Sequence, residues 1–202
     1  MDGLLAGTSR LTSLSATELA RRIKAGEVSA VEVVDAHIRR IEAVNPKLNA
    51  VVVPLYEQAR AQAAAADAAQ ARGDALGALH GVPVTIKECC HVAGTPSTAG
   101  LTGQMNHRAD RDGPLVSRLR TAGAIVLGKT NVPQLLLYYE SDNPVYGRTN
   151  NPWNLERSPG GSSGGEGAII AAGGSPLAGG CCARCDGRVG GALRTQPDYP
   201  VA

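Results

Sequence analysis

The stretch SPGGSSGGEGAIIAAGG, residues 158–174, decides how the fold is interpreted, because a glycine and serine run has three common uses. Composition alone favours the first, a flexible linker without a site. The second is a loop that binds phosphate, and the third is a tight backbone turn that holds a catalytic serine. The run ends in AIIAAGG, which has the composition of a helix that stops at glycine. The glycines and serines are therefore predicted to lie at a helix N-terminus.

Two established motifs fit this stretch poorly. A phosphate-binding loop of the G-x-x-x-x-G-K-[ST] type needs a lysine after its last glycine, whereas Gly165 is followed by Glu166. The run Gly161 to Gly165 matches G-x-S-x-G with Ser163 in the middle, as in the nucleophile elbow of α/β-hydrolases. Those enzymes place an acid and a histidine after the serine. All four histidines of this chain precede it, namely His37, His80, His91 and His107.

A lysine is the remaining candidate for a base. A serine is activated by a neighbouring lysine when burial holds that amine neutral. Lys87 ends VPVTIK, an apolar run bounded by glycine that predicts a buried strand. Lys129 in LGKTN ends a similar run and is a second candidate. Taken alone, Lys87 is instead interpreted as a surface lysine paired with Glu88.

Helices and strands alternate along the rest of the sequence. The pairs Ser15/Glu18 and Ser29/Glu32 have capping-box spacing and predict two helices, the first stopping at Gly26 and the second at Asn45-Pro46. Further predicted elements are a strand at 51–53, an Ala-rich helix up to residue 73, a strand within 81–88, a helix at 114–122, a strand at 124–127 and a helix after residue 133. Residues 143–167 form a long irregular segment, which favours a functional loop. This alternation predicts an α/β fold.

Composition and charge exclude several classes of protein. The 202 residues include 20 basic and 18 acidic ones, mixed along the chain, so no basic surface indicates a nucleic-acid partner. No segment reaches the roughly 18 apolar residues of a membrane span, and residues 1–12 lack the pattern of a signal peptide. We therefore expect a cytoplasmic protein of one domain, or part of a larger domain, without a transmembrane segment.

The five cysteines form two groups, Cys89 and Cys90, and then Cys181, Cys182 and Cys185. An odd number in this arrangement is a poor disulfide framework. Cys182 and Cys185 form a C-x-x-C half-site that Cys89, Cys90 and His91 could complete as a zinc site. Adjacent thiols rarely converge on one tetrahedral ion, so we predict no metal and no cofactor.

Four motifs occur in a specific order: GVPVTIKE, AGAIVLGKTNVPQLL, GRTNNPWN and SPGGSSGGEGA. Together they resemble the amidase signature family. The segment YYESDNPVYGRTNNPWN with the run that follows it is most similar to the fatty acid amide hydrolase branch. The resemblance covers residues 13–177 and implies the N-terminal, incomplete part of that family's α/β fold, a mixed central sheet covered by helices. It implies cleavage of a small-molecule carboxylic amide, such as a fatty acyl amide, by a Ser/cis-Ser/Lys triad without cofactor.

The resemblance also implies a role for individual residues. Lys87 would be the base that takes and returns protons. Ser162, in a cis peptide after Gly161, would be the bridging serine that passes the proton between Lys87 and the nucleophile. Ser163 would support the triad by hydrogen bonding. On residue type alone, His37 and Trp153 are structural, and Tyr138 and Tyr139 are core or helix-end residues that line the site only by resemblance.

The resemblance stops after Leu177. There the family continues with G-x-G-(T/S)-D-x-G-G-S-(I/V)-R, which carries the nucleophilic serine and the oxyanion N–H groups, whereas Asp186 occupies the expected nucleophile position here. An aspartate supplies no hydroxyl and its charge opposes an oxyanion. Cys182 and Cys185 are out of register to replace the serine.

Residues 178–202 are therefore predicted to be a divergent, non-native or disordered tail from a frame error, and the chain to be inactive as written. The alternative is a non-catalytic fragment of an amidase that binds a partner or does not fold stably. A homodimer is a further expectation.

Overall fold

A mixed four-stranded sheet lies at the centre of the computed structural model, which describes residues 10–179. Its strands are β1 (Val51–Pro54), β2 (Pro83–Lys87), β3 (Ile125–Thr130) and β4 (Ala178–Gly179). The spatial order is β1-β3-β2-β4. Strand β3 runs antiparallel to β1 and parallel to β2, and β2 is also parallel to β4. The predicted α/β fold with a mixed central sheet is confirmed, and the strand that carries Lys87 is internal.

Within residues 10–179 five α-helices accompany the sheet: α1 (Ala16–Lys24), α2 (Ala30–Leu48), α3 (Tyr56–Ala71), α4 (Pro114–Thr121) and α5 (Gly164–Ala171). The start of α2 has the complete capping box, in which Ser29 and Glu32 each accept from the other's backbone N–H. At α1 only half of the box forms. Ser15 accepts from the N–H of Glu18, but the Glu18 carboxylate pairs with Arg21 and Arg22 instead. In the described residues no helix is both long and apolar enough to cross a membrane.

The predicted end of α2 at Asn45-Pro46 is wrong, because the helix continues to Leu48. Pro46 lies in the last turn, where its missing N–H costs only one intrahelical hydrogen bond. The helix ends at Asn49, which adopts the left-handed conformation with φ 49° and donates its N–H to the Asn45 carbonyl. The side-chain oxygen of Asn45 then accepts from the N–H groups of Ala50 and Val51, which starts β1.

The helix predicted after Pro133 is also wrong. Only a 3-10 turn, Gln134–Leu136, forms there. Leu135 and Leu136 have positive φ angles of 53° and 63°, which a continuing right-handed helix does not allow. The Leu135 N–H donates to the Ala99 carbonyl at 2.8 Å, so a tertiary contact replaces the helical one.

The apolar core divides between the two faces of the sheet, because successive side chains of β3 point to opposite faces. Ile125 and Leu127 pack in a cluster with α2, α3 and α5, whereas Val126 packs with Val84 and Ile86 of β2. The first cluster is the larger, and its buried members include Val34, Ile38, Ile41, Leu48 and Ile169. Each such aliphatic side chain stabilises the fold by about 1.5–3 kcal/mol on burial. Helix α5 is thereby fixed against the sheet, together with the loop before it.

Candidate active site

Lys87 and Ser162 meet at the carboxyl end of β2. The Lys87 Nζ donates to the Ser162 Oγ at 2.7 Å, and only 2% of Lys87 and 8% of Ser162 are exposed. Lys87 is the last residue of its strand, and Ser162 lies two residues before α5. Ligands of parallel sheets bind outside the carboxyl ends of the strands, which is where this pair lies. The interpretation of Lys87 as an exposed lysine is wrong, because the strand that carries it is internal and the side chain is buried.

The peptide bond between Gly161 and Ser162 is cis, as the resemblance implied. Gly161 leaves no room for a side chain, since a Cβ there would lie 2.9 Å from the Tyr138 carbonyl oxygen. Gly165, in the first turn of α5, would place a Cβ 2.5 Å from the Asn131 nitrogen, which follows β3. The glycines therefore allow the start of α5 to approach the end of the sheet closely, and this approach brings Ser162 to Lys87.

Ser163 is buried beside the pair at the N-cap position of α5. Its Oγ has no hydrogen-bond partner among the described residues, so the predicted supporting hydrogen bond is not formed with any of them. The N-terminus of a helix carries a partial positive charge, which favours negative charge that develops nearby. The Ser163 hydroxyl thus keeps its hydrogen-bonding capacity unused within the described residues.

Lys129, the second candidate base, does not reach the serines. It is fully buried, and its Nζ donates to the Pro96 carbonyl and, at 3.4 Å, to the Ser97 Oγ. Burial lowers the pKa of Lys129 to about 8. Because its contacts are with the loop after β2, Lys129 positions that loop. Of the two candidate bases, only Lys87 contacts a serine of the glycine and serine run.

Glu88 does not pair with Lys87, although the two are adjacent in sequence. Its carboxylate accepts from the N–H groups of Thr98 and Ala99, at 2.6 and 3.0 Å, and from the Tyr146 hydroxyl at 3.0 Å. These bonds tie the loop that follows β2 to the end of the strand. Glu88 and Lys129 are thus both engaged by the loop that follows β2.

Glu166 is a buried acid that sequence reasoning missed. It lies in the first turn of α5, four residues after Ser162, and its Oε2 accepts from the Thr85 hydroxyl at 2.5 Å. Desolvation by burial raises the pKa of Glu166 to about 7, and the second carboxyl oxygen has no partner among the described residues. The one signal in the sequence that could have indicated this buried acid is its position between two glycines, three residues after Ser163, where the helix start packs against the sheet.

The remaining predicted residues have no described side-chain contact with the pair or lie outside the described part, although the backbone of Tyr138 and Tyr139 packs next to Gly161. Tyr138 and Tyr139 are 72% and 68% exposed, so their prediction as core or helix-end residues is wrong. His37 is buried and contacts the Val33 carbonyl through Nδ1, a structural contact. Trp153 is half-buried in its loop. Asp186, Cys181, Cys182 and Cys185 lie outside the described residues. Within residues 10–179 no group of three or more His, Cys, Asp or Glu side chains could hold a metal ion.

Known sequences similar to this chain are amidases. A model of the amidase family matches residues 32–181. Indoleacetamide hydrolase of Bradyrhizobium diazoefficiens is 46% identical over 180 residues, which cover 89% of this chain and 33% of the relative. Fatty-acid amide hydrolase 2-B of Danio rerio is 46% identical over 175 residues, which cover 83% of this chain and 33% of the relative. The chain thus spans about a third of the length of these curated relatives.

Solved structures with the same fold include a fatty acid amide hydrolase and a bacterial aryl acylamidase. The first superposes with a TM-score of 0.80 at 36% identity and covers 83% of this chain and 30% of the other. The second has a TM-score of 0.80 at 35% identity, with coverage of 84% and 36%. The matched family model extends over most of the chain, and the lysine and serine motifs lie inside it. The chain therefore belongs to the amidase signature family, and its described residues form part of that family's fold.

Proposed function

We propose that this protein is an amidase-type hydrolase, inactive as written, in which Lys87 has the role of the general base and Ser162 that of the bridging serine. The observation that carries the proposal is the buried hydrogen bond of 2.7 Å between the Lys87 Nζ and the Ser162 Oγ. A base and a hydroxyl at this distance can transfer a proton directly. Family membership supports an amide as the substrate class.

The proposed reaction is acyl transfer through a serine ester. A nucleophilic serine attacks the amide carbon while its proton passes to the Ser162 Oγ, and the Ser162 proton passes to a neutral Lys87. The proton then returns by the same path to the leaving nitrogen, which departs as an amine or ammonia. Water hydrolyses the ester and restores the serine. Ser163, whose buried hydroxyl faces no described partner, is proposed to hydrogen-bond within this triad.

The nucleophile is the missing member of the site. Asp186 stands at its expected position, and a carboxylate cannot take this role. We therefore propose that residues 1–177 form a partial amidase domain and that residues 178–202 are a divergent tail that leaves the chain inactive. The strand pairing of β2 with β4 extends two residues past this boundary, to Gly179.

The substrate class is proposed from the relatives. They include enzymes named for indoleacetamide and for fatty-acid amides, which share a carboxylic amide next to an apolar group. Among these we favour a fatty acyl amide, because the motifs around the irregular loop are most similar to that branch.

A chimeric protein tests the proposal. Residues 1–177 are joined to the corresponding C-terminal part of the Bradyrhizobium relative, and release of ammonia from indole-3-acetamide and from a primary fatty acyl amide is measured. The chimera is expected to hydrolyse an amide. Lys87→Ala and Ser162→Ala are each expected to lower kcat by about 10²–10⁴-fold, the range for loss of a general acid or base.

The matched control is Lys24→Ala, which removes an exposed lysine at the end of α1 and should leave kcat unchanged. Equal rates for Lys87→Ala and Lys24→Ala would reject the assigned roles. A folded but inactive chimera, together with binding of amides by the original chain, would favour the non-catalytic alternative.

A further inference from the structure

The start of α5 has the sequence of a capping box but does not form one. Ser163 is the N-cap and Glu166 follows it by three residues, the spacing that forms the complete box at the start of α2. The Ser163 side chain makes no cap hydrogen bond, and the Glu166 carboxyl accepts from the Thr85 hydroxyl at 2.5 Å. Local signals and the final fold usually agree, and functional sites are where they are expected to differ. The helix start thus gives up a local hydrogen bond for one that reaches β2.

Thr85 lies on the same face of β2 as Lys87. Side chains of a strand alternate between its two faces, and Ile86 between them packs in the apolar cluster on the opposite side. Thr85 and Lys87 therefore both face the start of α5. The first reaches Glu166 at 2.5 Å, and the second reaches Ser162 at 2.7 Å.

These two hydrogen bonds join the same two parts of the chain at similar spacing. Thr85 and Lys87 are two residues apart, and two residues of a strand span about 6.6 Å. Ser162 and Glu166 are four residues apart across the start of α5, and one helical turn rises about 5.4 Å. The bonds can therefore form side by side. Within residues 10–179 they are the two hydrogen bonds that link β2 to residues 158–171.

Other hydrogen bonds hold the backbone at the start of α5 but do not reach β2. The Gly164 N–H donates to the Ser141 Oγ at 3.0 Å, and the Gly165 N–H donates to the Asn131 carbonyl at 3.3 Å. Asn131 follows β3, and Ser141 belongs to the chain that comes after it. The alignment of α5 along β2 thus depends on the side-chain bonds of Thr85 and Lys87.

We propose that Thr85 and Glu166 are positioning residues that hold the Ser162 hydroxyl at the Lys87 amine. The role rests on the proposed function, in which that contact carries the proton. In the described part of the chain neither residue hydrogen-bonds to Lys87 or Ser162, so both act through the alignment of α5 on β2. A misplacement of about 1 Å can cost a reaction about 10²-fold in rate, so the loss of this bond should be measurable.

Thr85→Val tests the positioning in the chain itself, because valine is close to threonine in shape and lacks the hydroxyl. NMR follows amide hydrogen exchange at Gly164, Gly165 and Gly167, whose N–H groups are hydrogen-bonded at the start of α5. Their exchange is expected to become about 2–10-fold faster, the factor for one lost hydrogen bond, while the amides of α2 keep their rates. Thr85→Ser keeps a hydroxyl and should restore slow exchange.

Thr95→Val is the matched control. It removes a buried threonine hydroxyl that donates to the Val92 carbonyl at 2.7 Å in the loop after β2. Exchange at the start of α5 should stay unchanged in this variant. The proposal is overturned if Thr85→Val leaves that exchange unchanged, or if it accelerates the amides of α2 by the same factor, which would indicate a general loss of stability.

Kinetics test the same role in the chimera with the C-terminal part of the Bradyrhizobium relative. Thr85→Val is expected to lower kcat by about 10–10²-fold with KM nearly unchanged, and Thr85→Ser to restore kcat. An active chimera in which Thr85→Val and Thr95→Val have equal kcat would overturn the positioning role and leave the proposed function standing. A chimera without activity would count against the proposed function, and hydrogen exchange would then decide whether Thr85 and Glu166 hold Ser162 in place.

Discussion

Glu166 is a buried acid, and the neighbouring strands offer its carboxyl only threonine hydroxyls. Thr85 of β2 donates to its carboxyl, and Thr130 of β3 is a second hydroxyl that acts to lower its pKa. The motifs of the sequence identified Lys87 and Ser162, because each belongs to a distinctive run of residues. They did not identify Glu166, because its environment is made by two threonines that are distant in sequence and converge only in the folded sheet.

The buried acid predicts a specific dependence of stability on pH. The pKa of Glu166 is about 7 in the folded chain and 4.5 for an exposed glutamate, so the folded state binds the proton more tightly. This contribution is fully present below pH 4.5 and is lost as pH rises to about 7. It amounts to up to about 3 kcal/mol. Glu166→Gln should remove this decline in the free energy of unfolding, measured by urea titration between pH 4.5 and 7.

The control for that experiment is Glu57→Gln, which changes an exposed glutamate in the first turn of α3. Its profile should keep the slope of the unchanged chain. If Glu166→Gln also keeps that slope, the acid is not held protonated by its burial.

At the scale of elements, local signals predicted both the capped starts and the glycine stops of the helices. Ser15 and Ser29 cap α1 and α2 as their spacing indicated, and α1 and α3 end two residues before Gly26 and Gly73, which have positive φ angles. The end of α2 is instead set by the left-handed Asn49, which no local signal displays. Proline therefore proved a poor marker of the helix end at residue 46.

Close packing of α5 on the sheet predicts a cost for any side chain at Gly165. A Cβ there would lie 2.5 and 2.7 Å from backbone atoms of Asn131, and backbone cannot move aside as a flexible side chain can. Gly165→Ala should therefore destabilise the fold by about 1–3 kcal/mol, the usual cost of overpacking. Thermal and urea unfolding measure the change.

Gly103→Ala is the matched substitution, because a Cβ at Gly103 meets nothing within 4 Å. Its free energy of unfolding should stay within about 0.5 kcal/mol of the unchanged chain. Similar losses for both variants would contradict the packing argument.

At the scale of the whole molecule, the described residues include an apolar segment that no other part of them covers. Residues 135–139, with the sequence LLLYY, follow the end of β3, and Leu137 is 74% exposed. Single exposed apolar side chains are ordinary, whereas a contiguous group favours association. The sequence alone indicated buried residues here, because hydrophobicity does not tell which apolar segments the rest of a chain covers.

This segment is expected to mediate self-association of the chain. Leu137→Ser should lower the fraction of dimers and larger species in analytical ultracentrifugation, without a loss of thermal stability, because the side chain has few contacts to lose. Met105→Ser is the control, since Met105 is 55% exposed but lies outside the segment. Equal effects of the two substitutions would assign the association to general surface hydrophobicity.

Strand β2 lies inside the sheet, and this position affects the order in which Lys87 and Ser162 lose their native places on unfolding. Lys87 belongs to a strand that is hydrogen-bonded on both edges, so amide hydrogens along it exchange with solvent only when the sheet itself opens. Ser162 lies outside the sheet, in the loop before α5, and local opening of a loop needs less free energy than opening of a sheet. We therefore expect heating to separate the Ser162 hydroxyl from Lys87 before the fold itself is lost.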